Sequence, residues 1–242
     1  VTDDGRDQNE IGDTARSKPA FLPKFLAIPK NIHGRVVITI DGMRYRGGVI
    51  SQVQLDASVE KGILRLDRLA ALLPGGSDLL LSGDTGSRDG IPRLKGRIEL
   101  ASNNLRSLLK WLNANPAQVP TGRLANLVLT SEFAVNTTQA QITNMNLRLD
   151  STAIEGAATI LLQTRPSFGL ALNIDRINLD GYLPKGGTGD AHRVQMVPEK
   201  GQQSNFPESP LAFLETFDSN INLNVGELTF NATPVRGLSV EL

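Results

Sequence analysis

Cysteine is absent from the 242 residues. That removes thiol nucleophiles, thiolate-bound zinc, iron–sulfur clusters and disulfides at once. It does not fix a compartment, since an oxidising space tolerates a cysteine-free chain as readily as the cytosol does. Aromatics are scarce, at 5% with a single Trp, so the stacking platforms of single-strand nucleic-acid binders are missing. Neither charge sign prevails: 25 Lys and Arg balance 25 Asp and Glu, leaving no basic stripe to neutralise phosphates. A nucleic-acid partner is not expected. No run approaches the roughly 18–20 apolar residues of a membrane span, and the polar start VTDDGRDQNEIGDTARSK lacks signal-peptide character. The first residue is Val, so the sequence reads as an internal or trimmed segment, which leaves room for a membrane anchor outside it.

Catalytic signatures are missing too. There is no GxSxG, no GxxxxGK[ST] and no GxGxxG in a βαβ setting. The two histidines, His33 and His192, have no paired spacing of the kind zinc needs and read as solvated loop residues. Asp67, Glu99, Asp150, Asp175 and Asp180 lie at strand ends or on polar faces. A glycosidase needs two carboxylates at a set separation; the simpler reading is that Asp175 and Asp180 fix turns by accepting backbone amides. No catalytic residue, metal or cofactor is expected, and the chain does not read as an enzyme.

What is present is alternation. Val36, Ile38, Ile40; Val49, Val53, Leu55, Val59; Leu94, Ile98, Leu100; Leu127, Leu129; Met145, Leu147, Leu149; Phe168, Leu170, Leu172, Ile174; and Ile221, Leu223, Val225 recur at period two with polar residues between them. That is the pattern of strands with one apolar and one polar face. Asp41-Gly42, Pro74 to Gly76 and Asp89-Gly90 are the expected hairpin turns. Helical spacing occurs in three short places. Ser102 to Asn115 carries Leu105, Leu108, Leu109 and Leu112 and is stopped by Pro116; the others are Pro19 to Ala27 and Ser209 to Phe217. Trp111 lies off the leucine stripe, either as an anchor at a membrane or partner surface or as a ring packed over the sheet edge.

The chain also resembles itself. Ile50, Val53 and Leu55 match Ile142, Met145 and Leu147 at an offset of 92, and these match Val235, Leu238 and Val240 at 93. The combined offset of 185 carries Val36, Ile38 and Ile40 onto Ile221, Leu223 and Val225. Pro92 to Leu100, with Leu105 and Leu108-Leu109 beyond it, matches Pro166 to Ile174, with Leu179 and Tyr182-Leu183 beyond it, at an offset of 74. The first unit therefore holds 18 extra residues, expected in a hairpin around Leu81 to Gly90. The expected organisation is a polar tail or linker over 1–18, a first β repeat with a helical cap over 19–116, a second repeat over 117–185, a flexible loop over 186–209 and the start of a third repeat over 210–242.

In this order, SPLAFLETFDSNINLNVGELTF, RGGVISQVQLDASVEKGILRLDRLAALLPGG, GRIELASNNLRSLLKWL and LALNIDRINLDGYLP resemble bacterial AsmA-family proteins over roughly residues 20–242. The resemblance implies a periplasmic protein held to the inner membrane by an anchor, with a long curved β sheet and an apolar groove. Such proteins are similar to TamB and to bridge-like lipid-transfer proteins and are associated with phospholipid transport and outer-membrane biogenesis.

The expected fold is mainly β, a repeated antiparallel meander forming a long curved sheet or groove with a few short helices. The expected partner is phospholipid or another acyl lipid, with other envelope proteins as further partners. The candidate lipid-binding face comprises Val53, Leu55, Ile98, Leu100, Met145, Leu147, Phe168, Leu170, Leu172, Ile174, Leu223 and Val225. The alternative is a periplasmic β-sandwich in which two sheets bury their apolar faces on each other and exposed edges recruit protein.

Overall fold

The computed structural model describes residues 31–88, 91–114, 116–162, 166–183 and 218–242. The expected turn at Asp89-Gly90, the helical segments Pro19 to Ala27 and Ser209 to Phe217, the tail, the loop over 186–209 and His192 lie outside them.

Alternating residues form strands because a pleated backbone sends successive side chains to opposite faces. Eleven strands result among the described residues: β1 (Gly34–Tyr45), β2 (Gly48–Glu60), β3 (Ile63–Leu73), β4 (Ser77–Arg88), β5 (Ile91–Ser102), β6 (Leu127–Asn136), β7 (Gln139–Leu149), β8 (Thr152–Leu161), β9 (Ser167–Asn178), β10 (Asp218–Phe230) and β11 (Thr233–Glu241). All lie in one open, curved sheet in sequence order. The meander expectation holds; the sandwich alternative does not, since the strands share a single sheet. Every neighbouring pair is antiparallel except β9 and β10, which run parallel.

The parallel pair explains the two offsets. Five strands precede β6, an odd number, so β6 and β7 run opposite to their sequence counterparts β1 and β2. The parallel step restores the direction, and the hairpin β10–β11 repeats β1–β2 pair for pair at 185. Ile40 faces Val53 as Val225 faces Leu238; Ile38 faces Leu55 as Leu223 faces Val240; Tyr45 faces Gly48 as Phe230 faces Thr233. The 18 extra residues amount to an added strand in the first unit rather than a longer hairpin, since two strands, β3 and β4, separate β2 from β5 where only β8 separates β7 from β9.

Backbone strain recurs at the same spacing. Gln52, Asn144 and Gly237 have φ of 52°, 50° and 65°, again 92 and 93 residues apart. At Gln52 and Asn144 the ladder slips by a residue, a β-bulge, and bulges add twist and bend to a sheet. The β1–β2 turn uses Arg46 and Gly47 (φ 48° and 74°), and Asn231 and Ala232 (φ 53° and 57°) occupy the same places 185 residues on. Such double left-handed turns match strand twist. Asp41-Gly42, expected as the turn, instead lies inside β1, opposite the Gln52 bulge. The Pro74 to Gly76 turn forms as expected, with Gly75 and Gly76 at φ of 83° and 59°.

The helix expected over Ser102 to Asn115 is shorter, α1 (Leu105–Trp111), because Ser102 still pairs in β5 and Asn113 turns left-handed at φ 62°. The chain therefore leaves the helix before Pro116, and Leu112 falls outside it, 53% exposed. Asn104 caps α1 by accepting the Ser107 amide at 3.1 Å. Leu105 and Leu108 pack with Leu127 beneath them to form the buried apolar cluster. Arg106 donates to the carbonyls of Pro116, Val119 and Pro120 at 2.7–2.8 Å, binding the following loop to the helix.

Candidate functional site

In a regular ladder, directly opposed residues share a face, so the register locates every candidate side chain. One row crosses nine strands without a polar residue: Ala71, Leu79, Leu100, Leu129, Leu147, Ile154, Ile174, Val225 and Leu238. A second, on β1 to β5, runs Ile38, Leu55, Leu69, Leu81, Ile98. A third joins Met145, Gly156, Leu172, Leu223 and Val240. Leu170 lies in the row Ile142, Ala158, Leu170, Ile221, Phe168 opposite Ile160, and Val53 opposite Ile40. All twelve expected residues thus share one face. Val225 is buried, Phe168 is 39% exposed, and the other ten are half-buried.

Eleven strands at roughly 4.8 Å spacing make this face on the order of 50 Å long. One end is covered. Leu73, Leu100, Leu147 and Leu149 contribute to the cluster under α1, and the Ser77 hydroxyl donates to Ser102 Oγ at 2.7 Å beside them. Trp111 belongs to this plug. Its indole donates to the Tyr45 carbonyl at 2.9 Å, its ring meets Tyr45 edge-on at 6.3 Å, and a Cβ at Gly48 would strike it. The packed-ring alternative is therefore the one realised.

The opposite face is polar. Arg35 donates to Asp56 at 2.8 Å, Lys95 lies 3.6 Å from Asp84, and Asn224 donates to Asn173 at 3.2 Å. A shallow hollow of about 340 Å³ lies there, bordered by Gln54, Arg68, Leu72, Asp78, Leu80 and Glu99. Among the described residues no cluster of three metal-ligating side chains occurs.

The carboxylates weighed as acid–base candidates are tied down. Asp150 accepts the amides of Leu124, Ala125 and Asn126 at 2.9, 2.9 and 3.1 Å and the Tyr182 hydroxyl at 2.9 Å. Burial opposes its charge, but these donors outweigh it and hold its pKa below the ordinary value. Burial, then the hydrogen bond and charge of Asp150, push the Tyr182 hydroxyl up to about 12. Asp175 accepts the amides of Ala153 and Arg176 at 2.8 and 2.5 Å. Asp180 accepts both amides of the β10–β11 turn, Asn231 and Ala232, at 2.8 Å. Asp67 is the residue skipped by the β2–β3 ladder and receives a long bond from Ser58, and Glu99 pairs with Arg97. His33 is exposed.

No known protein family, curated protein or solved structure matches the chain.

Sequence reasoning missed Leu69, Ala71, Leu79, Leu81, Ile154 and Ile160. In LRLDRLAALL, the extra residue Asp67 breaks the alternation, and Leu72 and Leu80 put apolar side chains on the polar face as well. The turn at Pro74 to Gly76 and the run Leu79-Leu80-Leu81 were the signals available for them.

Proposed function

We propose that this chain is a non-enzymatic envelope protein of the AsmA type that binds or conducts phospholipid along the apolar face of its sheet, in outer-membrane biogenesis or homeostasis. The observation that carries this reading is the unbroken apolar row from β3 to β11, plugged by α1 at one end of the strands. Water on such a face is unfavourable in proportion to area. An acyl chain gains about 0.8 kcal/mol per fully buried CH₂. On an open face about half of each methylene is covered, so a chain of about fifteen gains roughly 6 kcal/mol, a Kd of tens of micromolar. Two chains on one headgroup bind more tightly. No polar side chain has to recognise the lipid, which fits apolar rows that hold no titratable residue. The proposed location is the periplasm, attached to the inner membrane through an anchor outside these residues.

The test is titration with a fluorescent fatty acid. Leu172→Asp, on the apolar face, is expected to weaken binding at least about tenfold, whereas Asn173→Asp, next door on the polar face, leaves it unchanged. Equal affinity for both variants in folded protein contradicts the reading.

A further inference from the structure

The identity of β1–β2 with β10–β11 assigns a partner to the outer edge of β1. All eight register pairs of β10–β11 recur in β1–β2 at an offset of 185, together with the interruption at Asp41/Gln52 and its counterpart Gly226/Gly237. They also share the left-handed turn and bulge residues. They differ in what lies on the far side. β10 is engaged there by β9, a parallel strand in register from Asp218/Ser167 to Thr229/Asn178. Among the described residues β1 is the first strand of the sheet, and its side chains are correspondingly uncovered: Val36, Val37 and Ile38 are 53%, 66% and 41% exposed, whereas Ile221, Asn222 and Leu223, at the matching positions of β10, are half-buried.

We infer that the outer edge of β1 is a strand-addition site for an extended polypeptide segment from outside these 242 residues, running parallel to β1 with the pattern of β9. Parallel addition follows from the shared direction of β1 and β10. Its chemistry follows from the register: large apolar side chains opposite Val36, Ile38 and Ile40, continuing the apolar face, and small or uncharged ones opposite Val37 and Thr39 on the other. Val37 stands where β10 has Asn222, which faces Ala171, so a small apolar residue fits best. The sequences of residues 1–30 and 184–217 carry no run of three alternating large apolar residues and so do not fit this pattern. Main-chain hydrogen bonds would give the affinity and the alternating side chains the specificity. The inference is independent of lipid binding.

The natural absence of cysteine gives a direct test. The probe is a synthetic peptide of residues 166–178, PSFGLALNIDRIN, carrying one cysteine in place of Gly169, Ala171 or Asn173. It is incubated under mild oxidation with the full chain bearing Val37→Cys, an exposed site that leaves the core untouched. Opposed residues lie about 4.8 Å apart, whereas a two-residue slip opens this to about 8 Å, beyond the roughly 7 Å limit for a disulfide. The Ala171→Cys peptide is expected to cross-link at least about tenfold faster than the other two. With Thr39→Cys the preference moves to the Asn173→Cys peptide, the partner of Asn224 in β10. Equal rates for the three peptides, a preference that does not move, or no adduct overturns the inference.

Discussion

Removing the Asp150 carboxylate tests what holds the second unit of the sheet together at one end of its strands. Asp150 occupies the β7–β8 turn and collects three amides from the segment leading into β6, plus the hydroxyl of Tyr182 beyond the end of β9. Hydrogen bonds to a charged acceptor contribute about 1.5–3 kcal/mol, and a donor left unmet costs about 1–3 kcal/mol when buried. Since part of this cluster reaches solvent, Asp150→Asn, which keeps one acceptor oxygen, is expected to cost roughly 1–2 kcal/mol and Asp150→Ala roughly 2–4 kcal/mol. The assay is urea unfolding followed by circular dichroism from acid to alkaline pH.

Because the carboxyl pKa is lowered in the folded state, its stabilisation is present above the unfolded value of about 3.9 and is lost as pH falls through the folded value. The gap between parent and Asp150→Asn should therefore close in acid. Tyr182 has the opposite sign. Its raised pKa gives stability that is complete below pH 10 and lost as pH rises towards about 12. In a Tyr45→Phe background, where Tyr182 is the remaining tyrosine, Asp150→Asn should bring the tyrosinate absorbance transition down from about 12. A stability gap of the same size in acid as at neutrality, or an unmoved tyrosine transition, refutes the reasoning.

Leu108, 2% exposed in the plug, should cost about 2–5 kcal/mol on truncation to Ala, from lost burial and the cavity left behind; thermal denaturation with an unchanged melting temperature would contradict the packing. The bulge equivalence predicts opposite effects at matched sites. Gln52→Gly should stabilise by roughly 0.5 kcal/mol, because a left-handed L-residue costs about 1–2 kcal/mol and glycine returns part of that in chain entropy. Gly237→Gln should destabilise by a similar amount, measured in the same urea series.

The strand faces were legible because alternation is a property of single strands. Phe168, Leu170, Leu172 and Ile174 needed no partner to be placed on one side, and register then aligned them with Ile221, Leu223 and Val225. Self-comparison likewise exposed the 185-residue equivalence. Strand direction was not legible, since it depends on how many strands intervene, and the strand added between β2 and β5 is masked by the bulge at Asp67. The turn falls at Arg46-Gly47 rather than at Asp41-Gly42, because a DG pair signals a left-handed turn only locally, while the register of the whole hairpin decides its place. The Asp150 clamp joins residues up to 32 apart in sequence, and nothing in the local pattern announces it.

The central claim, that the apolar face carries lipid, is tested most directly by native mass spectrometry and organic extraction of the purified protein. The account predicts phospholipid or fatty acid bound near stoichiometry, lost from Leu147→Asp or Leu172→Asp protein that keeps its β circular dichroism. Protein that is free of acyl lipid and also fails to take up added phospholipid would contradict it.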